Sequence, residues 1–228
     1  MKEPINRYLD SAVLQPGMSR KDAMQAIALA AKYQSKTVCV RPCDIDMAIK
    51  ICQGTDTAVS VVLGFPHGCG LSDVKALEAS EYIKRGVKEI DMVANYGFIK
   101  SGEWDLVESD IKAVVQPCKK ASITLKVIIE ASELTLAEVE KATEIVIRAG
   151  ADFVKTSTGF ASGGATEEVV AKMLEVSGGK IKVKPSGGIR DFERAKMFVD
   201  MGADRLGVGV SSIVAICEGG ENTHDEGY

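Results

Sequence analysis

The segment Thr135-Leu136-Ala137-Glu138, an amphipathic run to Arg148, and then Gly150-Ala151-Asp152-Phe153-Val154-Lys155-Thr156-Ser157-Thr158-Gly159-Phe160 decides the fold. Thr135 and Glu138 have the spacing of a capping box, which starts a helix. Gly150 offers the left-handed conformation that ends one. An apolar strand follows after a short loop, which is the αβ half of a parallel βαβ unit. The same helix-ending signal recurs at Gly86-Val87-Lys88 and Gly202-Ala203-Asp204.

Working outward, strands are predicted to begin at Asn6, Thr37, Ala58, Glu89, Thr124, Phe153, Ile181 and Asp204. Helices are predicted over Arg20–Tyr33, Asp44–Cys52, Ser72–Arg85, Trp104–Lys119, Thr135–Arg148, Thr166–Val176 and Asp191–Asp200, with a last short one after Ser211. Ser72-Asp73 reads as a second helix start. No linker rich in Pro, Gly or Ser divides the chain. The predicted fold is α/β: a single parallel (β/α)8 TIM barrel over residues 1–228, with a short C-terminal tail at 218–228. A doubly wound open sheet is the competing arrangement, but no GxGxxG follows the first strand.

Composition narrows the function classes. The net charge of −4, with no long basic block, argues against nucleic acid and anionic membranes as partners. The N-terminal Met1-Lys2-Glu3-Pro4 lacks an apolar targeting region, which points to a cytoplasmic protein. Cys39, Cys43, Cys52, Cys69, Cys118 and Cys217 form no CxxC pair, and His67 and His224 are the only histidines, so neither a metal nor a zinc site is expected.

The polar residues at strand ends carry the chemistry, because barrel enzymes place catalytic groups at the C-terminal ends of strands. Lys155 ends an apolar strand and is followed by three hydroxyl residues and a glycine. A lysine there can snorkel to solvent or pair with a carboxylate. Desolvation instead favours the free amine, the nucleophile of Schiff-base chemistry. Lys184 ends the next strand, in Ile181-Lys182-Val183-Lys184-Pro185. Two neighbouring ammonium groups favour deprotonation of one. Asp91, in Glu89-Ile90-Asp91-Met92-Val93, and Lys126, in Leu125-Lys126-Val127-Ile128-Ile129-Glu130, add a charge of each sign within apolar strands. The expected cluster is one neutral amine, one ammonium and one carboxylate. Beyond it, Ser186-Gly187-Gly188 and Gly207-Val208-Gly209-Val210-Ser211-Ser212 follow strands seven and eight, where barrels often bind phosphate through backbone amides.

These residues resemble the deoxyribose-phosphate aldolases, a class I (Schiff-base) aldolase family with a TIM-barrel fold. The resemblance runs from about Leu9 to Ser212. It rests on Gly64-Phe65-Pro66-His67-Gly68, Glu89–Val93 with Asn95 and Gly97, Lys126–Glu130, Asp152–Phe160, Gly163-Gly164-Ala165-Thr166 and Val183–Arg190. It implies Lys155 as Schiff-base nucleophile, Lys184 as the lysine that perturbs it, and Asp91 as the acid of the proton relay. It also implies Gly159, Gly187, Gly188 and the Gly209, Ser211, Ser212 segment as the phosphate site, Asp10 in a supporting polar network and the C-terminal Tyr228 in proton transfer. No cofactor is implied. The partners are small aldehydes and a sugar phosphate, with a homo-oligomer, most simply a dimer, as the assembly.

Two features depart from the family pattern. Asp10-Ser11-Ala12 stands where the family has Asp-His-Thr, so a threonine hydroxyl is missing. Val208-Gly209 lengthen the strand-eight motif, which leaves either Gly207 or Gly209 as the phosphate contact. The reaction implied is reversible cleavage of 2-deoxy-D-ribose 5-phosphate to D-glyceraldehyde 3-phosphate and acetaldehyde. The alternatives are a Schiff-base aldolase or thiolase acting on another phosphorylated sugar, and an inactive sugar-phosphate-binding paralogue.

Overall fold

A computed structural model describes residues 1–219. Eight strands, β1 (Leu9–Val13), β2 (Thr37–Val40), β3 (Ala58–Leu63), β4 (Glu89–Val93), β5 (Thr124–Ile128), β6 (Phe153–Lys155), β7 (Lys182–Lys184) and β8 (Leu206–Gly209), pair in parallel in the order β7-β6-β5-β4-β3-β2-β1-β8. Asp204 N donates to Val183 O at 3.1 Å and Gly207 N to Pro185 O at 2.8 Å, so β7 and β8 also meet and the ring closes. Around it run α1 (Arg20–Lys32), α2 (Ile45–Cys52), α3 (Ser72–Lys84), α4 (Tyr96–Lys100), α5 (Trp104–Lys120), α6 (Leu136–Ala149), α7 (Glu167–Ser177), α8 (Phe192–Met201) and α9 (Ile213–Glu218). This is the (β/α)8 barrel. Among the described residues, no helix is long and apolar enough to cross a membrane.

Local signals explain most boundaries. Thr135 and Glu138 form the capping box at the start of α6, and Gly150 ends that helix at φ 85°. Gly202 ends α8 at φ 112°. Three strands begin later than the sequence suggests. Ile5–Tyr8 forms a 3-10 turn, and Asn6 uses its side-chain amide to donate to Tyr33 O and Gln34 O. Ile181 lies one residue before β7, and Asp204 is held outside β8 because its carboxylate accepts from Val183 N at 3.0 Å. Helix α4 is too short for its periodicity to be read, and Asn95 caps it by accepting from Phe98 N.

The alternation of strand residues separates two interiors. Outward side chains such as Val38, Val61, Ile90, Met92, Val127, Val154 and Val183 pack under the helices in the main apolar core. Each such burial contributes roughly 1.5–3 kcal/mol. The inward residues of the same strands include Asp10, Thr37, Ser60, Glu89, Asp91, Lys126, Lys155 and Lys184, all buried. The oily layer therefore surrounds a barrel lumen filled with charge.

Helix α3 starts at Ser72, where the sequence marks a helix start. Leu71 holds the N-cap position without a side-chain bond, and Ser72 Oγ donates to Asp110 Oδ1 at 2.8 Å. One turn on, buried Lys75 donates to Asp110 Oδ2 at 2.6 Å, Gly68 O at 2.7 Å and Val93 O at 3.1 Å. It thereby ties α3 and α5 to the loop after β3 and to the end of β4. Removing one partner of such a pair leaves a charge buried alone. Lys75→Ala should therefore lower unfolding free energy by about 3–5 kcal/mol in urea titration; a loss below about 1 kcal/mol would show that the pair does not hold this corner.

Candidate active site

Strand register assembles the charged lumen. Asp91 on β4 lies beside Lys126 on β5, and Lys155 on β6 lies beside Lys184 on β7. All four side chains point inward and are buried. Asp91 Oδ1 accepts from Lys126 Nζ at 2.7 Å. Asp91 Oδ2 accepts from both Lys155 Nζ at 2.9 Å and Lys184 Nζ at 2.7 Å. The two strand-end amines thus share one carboxylate oxygen.

A second tier supports this one. Asp10 on β1 accepts from Lys184 Nζ at 2.5 Å, Arg205 Nη1 at 2.6 Å and Thr37 Oγ1 at 2.7 Å. Lys126 also reaches Glu89 at 2.5 Å and Asp10 at 3.2 Å, and Arg205 pairs with Glu89. Sequence reasoning missed Glu89 and Arg205 as members. Glu89 could have been found as the residue two before Asp91 on the same face, whereas Arg205 precedes its strand and carries no such signal.

The pKa directions follow from these contacts. Burial pushes the Asp91 carboxyl up, but the ammonium groups of Lys126, Lys155 and Lys184 outweigh it and hold the group well below the usual carboxylate range. Burial likewise pushes Asp10 up, and Arg205, Lys126 and Lys184 hold it far below its ordinary value. For Lys126, burial favours the neutral amine, while Asp10, Asp91 and Glu89 push its pKa well above the ordinary lysine value. Lys126 is therefore a fixed cation. Cys39 on β2 also feels Asp91 and the lysines, and burial pushes its thiol up to about 11.

Contacts within 4 Å thus join three acids (Asp10, Glu89, Asp91) to four basic side chains (Lys126, Lys155, Lys184, Arg205), and Glu130 lies close enough to feel Lys155.

At the barrel mouth, β6 and β7 lead into glycine-rich loops. A cavity there is lined by Gly159, Gly163, Gly164, Gly187, Gly188, Arg190, Gly207, Gly209, Ser211 and Ser212. The sequence-predicted phosphate residues are thus brought together. Gly164 was not among them, yet the loops meet through it: a Cβ built on Gly164 would lie 2.5 Å from Gly187 O. The strand-eight reading needs correction. Val208 and Gly209 are not a loop insertion after the strand but part of β8, where Ser11 pairs with Val208 and Ala12 with Gly209. Gly207 and Gly209 both line the cavity, but the Gly207 amide is committed to Pro185 O.

The first-strand departure also resolves in space. Ser11 faces outward and its hydroxyl lies 2.7 Å from that of Ser35. Ala12 faces inward and joins Leu14, Cys39 and Val62, with Phe65 packed on them, as an apolar wall. Phe65 in turn meets Phe160 edge-on, with ring centroids 5.2 Å apart. Glu130, at the end of β5, adopts a left-handed backbone at φ 52° and accepts from Thr158 N and Thr158 Oγ1. It ties β5 to the loop that follows Lys155. Tyr228 lies outside the described residues.

The two depressed carboxyls make stability depend on acid. Their stabilisation is present above the pKa of an unfolded aspartate, about 3.9, and is lost as pH falls through that value toward their lower folded values. Denaturant unfolding between pH 6 and pH 2 should show stability falling below about pH 4. Asp91→Asn should flatten that slope, and an unchanged slope in the variant would contradict the assignment.

Comparison with known proteins bears on the whole chain. The profile described as DeoC/LacD family aldolase matches residues 4–219. The deoxyribose-phosphate aldolase of Streptococcus sanguinis (strain SK36) is 44% identical over 221 residues, covering 97% of this chain and 99% of its own. That of Lactococcus lactis subsp. lactis (strain IL1403) is 46% identical over 215 residues, covering 94% and 96%. Among solved structures, "QR15, an Aldolase" superposes with a TM-score of 0.88 at 39% identity, over 94% of this chain and 95% of that one. The deoxyribose phosphate aldolase of Aeropyrum pernix, described as a unique tetramer, superposes with a TM-score of 0.83 at 29% identity, over 94% and 89%. A match that spans the strands, the lumen and the glycine loops together places this chain in the DeoC/LacD aldolase family.

Proposed function

We propose that this chain is a class I aldolase that reversibly cleaves 2-deoxy-D-ribose 5-phosphate to D-glyceraldehyde 3-phosphate and acetaldehyde through a Schiff base on Lys155. The observation that carries the reading is the buried Asp91 oxygen shared by Lys155 and Lys184, in a chain of this aldolase family. Among the described residues, Lys184 bonds Asp10 as well as Asp91, whereas Lys155 bonds Asp91 alone and also feels the charge of Glu130. Lys155, with fewer ion-pair partners than Lys184 and at the strand end that leads to Gly159 of the mouth cavity, is the amine assigned as nucleophile.

The neutral Nζ of Lys155 adds to C1 of the open-chain aldehyde, and loss of water from the carbinolamine leaves an iminium. Removal of the C3 hydroxyl proton lets the C2–C3 electron pair move into the iminium. D-Glyceraldehyde 3-phosphate departs and an enamine remains. The C3 hydroxyl proton passes through water to the Asp91 carboxylate, which Lys184 holds in place. Protonation of the enamine at C2 and hydrolysis of the iminium release acetaldehyde and restore the amine. Tyr228 is assigned to the enamine protonation by family resemblance alone.

The phosphate of the substrate is assigned to the mouth cavity. Gly159, Gly187 and Gly188 have φ values of 83°, 83° and 76°, which let successive backbone amides turn toward an anion. The Gly209, Ser211 and Ser212 segment contributes the facing amides and hydroxyls, because the Gly207 amide is already taken. The partners proposed are thus a sugar phosphate and small aldehydes.

Lys155→Ala should abolish cleavage of deoxyribose 5-phosphate while leaving the thermal unfolding transition cooperative; retained turnover would remove Lys155 as the nucleophile. Lys184→Leu should lower kcat by roughly 10²-fold or more, the scale of losing a member of a proton-transfer network. Full activity in that variant would remove Lys184 from the reaction.

Phosphate binding is tested separately. Gly188→Val forces a branched side chain into a left-handed backbone, and Gly209→Val adds bulk to the cavity wall. Both should raise KM for deoxyribose 5-phosphate strongly and change turnover of unphosphorylated deoxyribose little. Equal effects on the two substrates would place the phosphate elsewhere.

A further inference from the structure

Among the described residues, three that are not glycine have a left-handed backbone: Gln34, Ser122 and Glu130. Gln34 and Ser122 are exposed and follow the ends of α1 and α5, where such a turn is an ordinary helix stop. Glu130 is buried and follows a strand, β5, with φ 52° and ψ 61°. A left-handed side chain with no helix to end persists only where its surroundings require it, and such positions gather at functional sites.

The contacts around Glu130 show what the conformation achieves. Ile129 N donates to Lys155 O at 3.1 Å and Ala131 N donates to Thr156 O at 2.8 Å, so main-chain bonds on either side of Glu130 hold the end of β6. Thr156 N is held from the other side by Lys184 O at 3.1 Å. The ladder ends there. Among the described residues, Thr158 donates its N–H and its hydroxyl to Glu130 alone, at 3.1 Å to Oε1 and 2.5 Å to Oε2. Phe160 N in turn donates to Thr158 Oγ1 at 3.0 Å. Gly159 stands between these two contacts and lines the glycine cavity. Burial pushes the Glu130 carboxyl up, and the Thr158 bonds, then the charge of Lys155, oppose that push.

We propose that Glu130 is a positioning residue of the aldol site, which through Thr158 sets the distance between Gly159 of the glycine cavity and the amine of Lys155. The assignment rests on the proposed reaction, which puts C1 of the substrate at that amine and the phosphate at the glycines. Lys155 is held by main-chain bonds that do not involve the Glu130 carboxylate, whereas Gly159 is held through it. Loss of the carboxylate therefore releases the phosphate end of the site and leaves the amine in place. A displacement of about 1 Å in a group that orients substrate can cost roughly 10²-fold in rate.

The test compares cleavage of deoxyribose 5-phosphate with that of unphosphorylated deoxyribose in Glu130→Ala, Glu130→Gln and Thr158→Val. Glutamine has nearly the size of glutamate and keeps a carbonyl oxygen that can accept both Thr158 bonds, as Oε2 does. Glu130→Ala should lower kcat/KM for deoxyribose 5-phosphate by roughly 10²-fold and that for deoxyribose far less. Thr158→Val should move the ratio in the same direction by a smaller amount. Glu130→Gln should restore most of the preference for the phosphorylated substrate. Borohydride reduction with acetaldehyde should label Lys155 in every variant, because that adduct uses no phosphate. Should Glu130→Ala unfold early in a thermal melt, Thr158→Val decides by the same ratio. A wild-type preference in the deciding variant overturns the proposal, as do equal losses on both substrates. So does a glutamine variant as impaired as the alanine one, which would assign the effect to charge. Failure of the wild type to form the acetaldehyde adduct would count against Lys155 instead, so the two readings fail separately.

Discussion

The carboxylate of Asp91, surrounded by the ammonium groups of Lys126, Lys155 and Lys184 with no solvent between them, is the interaction on which the rest of the structure depends. Taking these charges out of water costs several kcal/mol per ion, and only near-ideal pairing offsets it. Each charge therefore needs partners of its own. Lys126 draws in Glu89 and Asp10, Arg205 bridges those two acids, and Thr37 completes the coordination of Asp10. The barrel supplies this because eight parallel strands bring side chains from β1, β4, β5, β6 and β7 to one axis. The apolar layer under the helices supplies the burial energy that such a lumen lacks.

The same constraint divides the labour among chemically identical lysines. Lys126 is enclosed by three acids, which makes it a permanent cation. Lys184 bonds two carboxylates, and Lys155 bonds one. The number of carboxylates bonded falls along the series. Lys155 is also the lysine whose following residues, Thr156 to Phe160, form the loop between the lumen and the glycine cavity. Glu130 fixes that loop through Thr158, and Phe65 packs against Phe160. The amine thus makes the fewest ion pairs in the cluster and ends β6, directly before a loop that Glu130 and Phe65 hold.

Much of this was legible in the sequence. Gly150, Gly202 and the Thr135–Glu138 box gave the βα rhythm, because these signals act within a few residues and need no tertiary partner. Lys155, Lys184 and Asp91 stood out because charge inside an apolar strand is rare and expensive. What stayed hidden depends on contacts distant in sequence. Ser72 is visible as a helix start, but not its bond to Asp110, 38 residues away. Asp204 looks like a strand start until its carboxylate is seen to cap Val183. Arg205 and Glu89 are ordinary charges until the barrel closes, and Gly164 is a turn residue until it meets Gly187. The Ser11-Ala12 departure looked like a single defect in the substrate site. The strand alternation splits it into an outward Ser11–Ser35 contact and an inward apolar wall.

The central claim is that Lys155, alone among the three lysines of this cluster, forms the Schiff base. The most direct measurement is reduction of the wild-type enzyme by borohydride in the presence of acetaldehyde, followed by peptide mapping. The account predicts a single modified site at Lys155, within the peptide that spans Asp152–Phe160. Modification at Lys184 or Lys126 instead, or no adduct at all, would contradict it.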